Sequence, residues 1–213
     1  VELDPWARPV LGVDVGRFGP DPSVIYTRRG ADGRSRLPEI HMGLNSIQLA
    51  QRVYDVWIET NAIAIFVDVG GVGAGVVDQL EALGAPVYPV DFGSSSDAGQ
   101  DGSRYANKRA EIWDSMARWL KIGAIPDKVK NFSLVEELTA PSYTYGKGDV
   151  SLQLESKRDM KRRGKASPNI ADALACTFAY PYLSATVRPP REGEEETNTY
   201  SDRDPYRKAK DYA

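Results

Sequence analysis

The chain has 213 residues, is 41% hydrophobic and 27% charged, and carries a net charge of −3, the profile of a folded globular protein. Its single cysteine and single histidine exclude internal disulfides, thiolate zinc clusters and metal sites built on several imidazoles. No apolar run approaches the roughly 20 residues needed to cross a bilayer, and "VELDPWARPV" has neither the basic nor the apolar region of a signal peptide. The length suits one substantial domain with a tail, and the non-Met start suggests an excised piece of a longer protein.

In chain order, "VLGVDVG" and "SVIYTRR" read as β-branched strands joined by the turn "RFGPDP", hence antiparallel. "RLPEIHMGL" reads as a third strand holding His41, which we take as structural. From Ser46 to Thr60, apolar residues recur at helical spacing, with Ser46 as the expected N-cap. "AIAIFVDV" is a continuous apolar run, as in a strand covered on both faces. A helix over "GAGVVDQLEAL" and a strand over "PVYPVDF" follow. "GSSSDAGQDGS" reads as a mobile loop. "RYANKRAEIWDSMARWLKIG" reads as a long amphipathic helix, and "SLVEELTAPSYTYGKGDVSLQLES" as a short helix and then a hairpin across "GKGD". "SPNIADALACTFAYPYL" opens on a Ser-Pro helix signal and is apolar on most faces, so it should be buried. The order β-β-β-α-β-α-β-α…α implies an α/β fold: a mixed sheet, antiparallel over its first three strands and parallel after them, with helices on both faces. Residues 1–185 form this domain. From about Thr186 the chain turns charged and poor in aliphatic residues, so 186–213 should be a disordered tail.

Three acids sit in apolar surroundings. Asp14 ends the first strand, Asp68 ends "AIFVD", and Asp172 lies on the last helix. A buried charge without a partner is costly. Each acid alone has a plain alternative: Asp14 capping a turn, Asp68 bonding the amides of "GGVG", Asp172 pairing with Lys108 or Arg109. Together they make an all-oxygen site for a hard divalent cation such as Mg²⁺ or Mn²⁺. Two such ions about 4 Å apart activate a water and stabilise a leaving oxygen in phosphoryl displacement, with no histidine required. On this reading, Asn in place of any one acid should leave stability unchanged or raised, by relieving like-charge repulsion. Between Lys157 and Lys165, "KRDMKRRGK" places Lys157, Arg158, Lys161, Arg162, Arg163 and Lys165 around one acid. Such a run is either a solvated helix face or a phosphate-binding one.

The stretches "GVDVGRFGPDPSVI", "IFVDVGGVGAGVVDQL", "NKRAEIWDSMARWLKIGAI", "EEL" and "KRDMKRRGKASPNIADALA" span Gly12 to Ala175. In their order and spacing they resemble the nuclease domain of tailed-phage terminase large subunits, which has a ribonuclease H-like fold akin to Holliday-junction resolvases. The resemblance implies a Mg²⁺- or Mn²⁺-dependent endonuclease that cuts double-stranded concatemeric viral DNA during genome packaging. It implies metal-ligand roles for Asp14, Asp68 and Asp172, and places Lys157 near the scissile phosphate. Asp21 matches a commonly acidic position. Asn169 departs from the pattern, since the family often reads "SPD" there; an amide can still orient a water or a ligand carboxylate. The implied partners are an N-terminal ATPase half of the same full-length protein, the portal protein and the small terminase subunit, at the procapsid portal in the host cytoplasm. The isolated domain is expected to be monomeric. The chain has no GxxxxGK[ST] loop, so it is not itself the motor.

Rival readings stay open at this level. "GGVGAG" invites dinucleotide binding with Asp91, but the third glycine position is Val76. "GVDVG" and "VDVGG" resemble the phosphate loops of sugar-kinase or actin-like ATPases, which need two such domains. A module that docks DNA or capsid without cutting would have little reason to keep all three acids.

Overall fold

The apolar run around Asp14 becomes strand β1 (Pro9–Asp14), and the next becomes β2 (Ser23–Arg29). The computed structural model describes residues 6–16, 21–96, 104–146 and 151–180. It pairs β1 and β2 antiparallel, with Val13 opposite Ile25. β3 (Glu39–His41) joins β2 antiparallel, and His41 Nε2 lies 3.1 Å from Glu39 Oε2. After helix α1 (Ser46–Thr60) come β4 (Ile65–Asp68), parallel to β1, then α2 (Gly73–Ala82) and β5 (Val87–Val90), parallel to β4. The sheet order is β3-β2-β1-β4-β5: three antiparallel strands, then parallel ones, as in a ribonuclease H-like fold.

The rest of the chain builds one face. It contains α3 (Lys108–Trp119), a small hairpin of β6 (Lys128–Val129) and β7 (Phe132–Ser133), and α4 (Leu134–Thr139). A second hairpin of β8 (Tyr143–Tyr145) and β9 (Leu152–Leu154) follows, then α5 (Lys157–Arg162) and α6 (Asn169–Cys176).

Side chains alternate across a strand with period two, and the two cores follow that period. Leu11, Val13, Ile25, Ile65 and Val67 pack with Leu49, Val53 and Val56 of α1 and Val76, Val77 and Leu80 of α2. Val10, Val24, Tyr26, Ala64 and Phe66 pack on the opposite face with Ile112, Trp113 and Met116 of α3 and Ile170, Ala173 and Leu174 of α6. Asp14 and Asp68 are in phase with Val10 and Phe66, so both carboxylates face the layer of α3 and α6. Gly12 lets α6 lie directly on β1: a Cβ there would fall 2.0 Å from the Ala173 carbonyl oxygen.

Several local expectations are corrected. The N-cap of α1 is Asn45 rather than Ser46: its side chain accepts from Gln48 N at 2.9 Å, and Gln48 Oε1 accepts from Asn45 N at 3.1 Å. This reciprocal box satisfies two orphan donors at once. The long third helix is shorter than its pattern, because Asn107 caps it and Gly123 packs on the Trp119 ring beyond its end. The β6–β7 hairpin was not anticipated; two-residue strands leave no periodic signal. β8 and β9 pair as expected, while turn residues 147–150, the loop centre 97–103 and the tail 186–213 lie outside the described residues.

Candidate active site

Because Val13 pairs with Val67 in parallel register, the next residues, Asp14 and Asp68, end neighbouring strands side by side. α6 crosses beneath them and contributes Asp172. From the other side, α5 sends in Lys157, whose Nζ lies 3.1 Å from Asp14 Oδ1 and 3.0 Å from Asp172 Oδ2. Asp14 is 2%, Asp68 7% and Asp172 0% exposed. The four groups named from the sequence thus stand together at the C-terminal ends of β1 and β4.

Their surroundings differ. Asp172 is fully engaged: Oδ1 accepts from Trp113 Nε1 at 2.7 Å and Arg109 Nε at 3.1 Å, and Oδ2 accepts from Lys157 and from Arg109 Nη2 at 3.4 Å. A carboxylate has about four lone-pair sites, so none of Asp172's is left over. Burial works against its charge, but Arg109 and Lys157 outweigh it and hold the pKa below the usual range. Arg109 is the pairing partner that the plain reading of Asp172 allowed.

Among the described residues, Asp14 has Lys157 alone. Burial, with the neighbouring Asp172 and Asp68 charges, pushes its pKa up to about 7 against the pull of Lys157. Asp68 is also raised, by burial above all, although Gly70 N donates to its Oδ1 at 2.8 Å. Burial opposes the Lys157 ammonium too, but the carboxylates overcome it and raise its pKa.

Among the described residues, no group of three or more His, Cys, Asp or Glu side chains stands ready to hold a metal ion. The donor chemistry nevertheless fits a hard cation at Asp14 and Asp68. Both are all-oxygen donors, both have raised pKa values, and both feel the Lys157 ammonium. Mg²⁺ typically takes one or two carboxylates, waters and substrate phosphate. In this arrangement Asp172 serves as the anchor of the cluster and offers no free oxygen as a third ligand.

Two clefts flank Lys157. One, of about 380 Å³, is lined by Asp14, Asp21, Lys157, Arg158, Lys161, Ser167 and Asn169. The other, of about 350 Å³, is lined by Asp68, Asp91, Phe92, Asn107, Arg109 and Lys157. The basic run divides because α5 is a short helix whose faces alternate. Lys157 and Lys161 share a face, as residues four apart do, and Lys161 meets Asp21 at 2.9 Å on the rim. Arg162 pairs with Asp159 at 2.8 Å. Arg163 turns away to Glu155 Oε2 at 2.6 Å and the Ala140 carbonyl. Lys165 is exposed beyond the helix.

The sequence reading gave Glu137 no role. The N-cap residue of α6 is Pro168, which makes no side-chain cap. Glu137 Oε2 fills the gap from α4, accepting from Ile170 N at 2.7 Å and Ala171 N at 3.0 Å. Burial pushes its pKa up to about 7 despite those amides. The "EEL" stretch preceding an uncapped helix was its only trace in sequence.

No protein-family profile and no curated protein matches the chain. Solved structures do. The nuclease domain of the large terminase subunit gp2 of bacterial virus Sf6 shares 22% identity, with 79% of this chain and 87% of that one covered and a TM-score of 0.65. The large terminase nuclease from thermophilic phage G20c with bound magnesium shares 18%, covering 84% of each chain at a TM-score of 0.59. The large terminase nuclease domain of Thermus phage P74-26 shares 16%, covering 90% and 87% at 0.55. Other structures hold manganese or calcium in a variant of the Sf6 domain and cobalt in the G20c domain. With its mixed five-stranded sheet and flanking helices, the chain has the ribonuclease H-like fold of phage large terminase nuclease domains.

Proposed function

We propose that the protein is a divalent-metal-dependent endonuclease of a phage packaging terminase, hydrolysing phosphodiester bonds of double-stranded DNA. The observation that carries this reading is the meeting of Asp14, Asp68, Asp172 and Lys157 at two strand ends, beside a cleft edged with Arg158 and Lys161. Asp14 and Asp68 would hold Mg²⁺ or Mn²⁺. Bound there, the ion, or a pair of ions, would lower the pKa of a water and offset charge on the phosphate. Asp172, gripped by Arg109 and Trp113, fixes α6 beneath the site. The Lys157 ammonium, 34% exposed at its side chain, can turn from the carboxylates to a phosphate oxygen and stabilise charge that grows in the transition state. Arg158 and Lys161 would hold the backbone without reading sequence. In the whole packaging machine, the substrate would be concatemeric viral DNA. The partners would be an ATPase half of the same protein, the portal and the small subunit, assembled at the procapsid in the host cytoplasm.

Conversion of supercoiled plasmid to nicked and linear forms tests the reading. Cleavage is expected with Mg²⁺ or Mn²⁺ and should cease with chelator. Undiminished cleavage in chelator would remove the carboxylate–metal chemistry from the account.

A further inference from the structure

Two polar side chains in the wall of the Asp14 cleft are buried without a partner among the described residues. Ser167 is 6% and Asn169 7% exposed. Their main chains pair with each other, Asn169 N donating to Ser167 O at 3.0 Å. Among the described residues, however, neither the Ser167 hydroxyl nor the Asn169 carboxamide has a hydrogen-bond partner. Buried polar groups are nearly always paired, so two adjacent orphans facing one cleft call for a ligand. The wall that bears them is firm: Pro168 stands between them, and Glu137 ties down the next two amides.

The rest of the cleft indicates what the ligand is. Lys157, Arg158 and Lys161 line the same space, so an anion is favoured on that side. A hydroxyl and a carboxamide supply neutral donors, which suit an acceptor-rich anion. We propose that Ser167 and Asn169 donate hydrogen bonds to a non-bridging oxygen of a DNA backbone phosphate, seating the strand against Asp14. The proposal rests on the nuclease reading and adds a contact the metal chemistry does not require.

The test is fluorescence-anisotropy binding of a short duplex in EDTA, across a range of salt, alongside plasmid nicking by the same proteins. The Ser167→Ala/Asn169→Ala double variant should bind about tenfold more weakly, as expected for loss of hydrogen bonds to a charged group. Its salt slope should equal the parent's, because neutral donors release no counterions, whereas Lys161→Ala should lower the slope by about 0.9. Asn169→Asp should weaken binding further. Melting temperature supplies an independent readout: with no internal partners to lose, the double variant should melt at or above the parent's temperature. A double variant that binds like the parent while the parent binds and nicks DNA overturns this inference and leaves the nuclease reading standing. So does a clear fall in melting temperature, which would mean that the groups are paired within the protein. Tighter Mn²⁺ binding by Asn169→Asp with duplex affinity unchanged would reassign the position to a cation. A parent that neither binds nor nicks DNA defeats both.

Discussion

Asp14→Asn and Asp172→Asn should change stability in opposite directions, although the two acids share one ammonium. The Asp14 carboxyl moves from 3.8 to about 7 on folding. At about 1.4 kcal/mol per tenfold change in proton affinity, keeping it ionised in the fold costs about 4 kcal/mol. A raised folded pKa means that stability is full below the unfolded pKa and lost as pH rises through the folded one, here between about pH 4 and 7. Above pH 7, Asn should therefore stabilise by up to about 4 kcal/mol, and at pH 4 it should change little. Asp172 has a depressed pKa, so its contribution is present above the unfolded pKa and lost only as pH falls through the folded one. Asn there leaves Arg109 and Lys157 short of a buried counter-charge, and breaking such a pair costs about 3–5 kcal/mol. The expectation that any acid of the cluster could be neutralised without loss is thus kept for Asp14 and revised for Asp172. Urea unfolding at pH 8 and pH 4, in chelator, measures both. A destabilised Asp14→Asn at pH 8, or an Asp172→Asn as stable as the parent there, would refute the reasoning.

Lys157→Ala should lower turnover on plasmid far more than duplex affinity, as read by nicking rates at saturating DNA. Arg163→Ala, whose side chain is committed to Glu155 and Ala140, should leave both the salt slope and saturated turnover unchanged. Gly12→Ala should destabilise the domain by several kcal/mol, because a Cβ at 2.0 Å from the Ala173 carbonyl forces α6 off the sheet; thermal unfolding reads this directly. Burial raises the folded pKa of Glu137 to about 7, so its contribution to stability should be full below about pH 4 and lost as pH rises through about 7, and Glu137→Ala should speed amide exchange at Ile170 and Ala171.

The sheet was legible because its signals are local. β-branched runs, a Gly/Pro turn and an unbroken apolar strand give strand type, and the order of elements gives direction. Asp14, Asp68 and Asp172 stood out for one physical reason: an acid in an apolar run has to find a partner. What the sequence could not separate was the kind of partner. Asp172 faces Arg109 from 63 positions further along the chain, a distance no periodicity reports, and so a residue read as a candidate ligand is also tied into an ion pair. The basic run was visible as composition, but only the length of α5 decides that Lys157 and Lys161 face the cleft while Arg163 does not. Glu137 and Ser167 were hidden for the same reason, since their significance lies in which backbone amides and which cavity they meet.

The central claim is that Asp14 and Asp68 form the cutting centre, and plasmid nicking by Asp14→Asn and Asp68→Asn in saturating Mn²⁺ tests it most directly. Both variants should keep the parent's circular dichroism spectrum and duplex affinity while cleavage falls to background. Parental nicking rates from either folded variant would contradict the account and place the chemistry elsewhere on the protein.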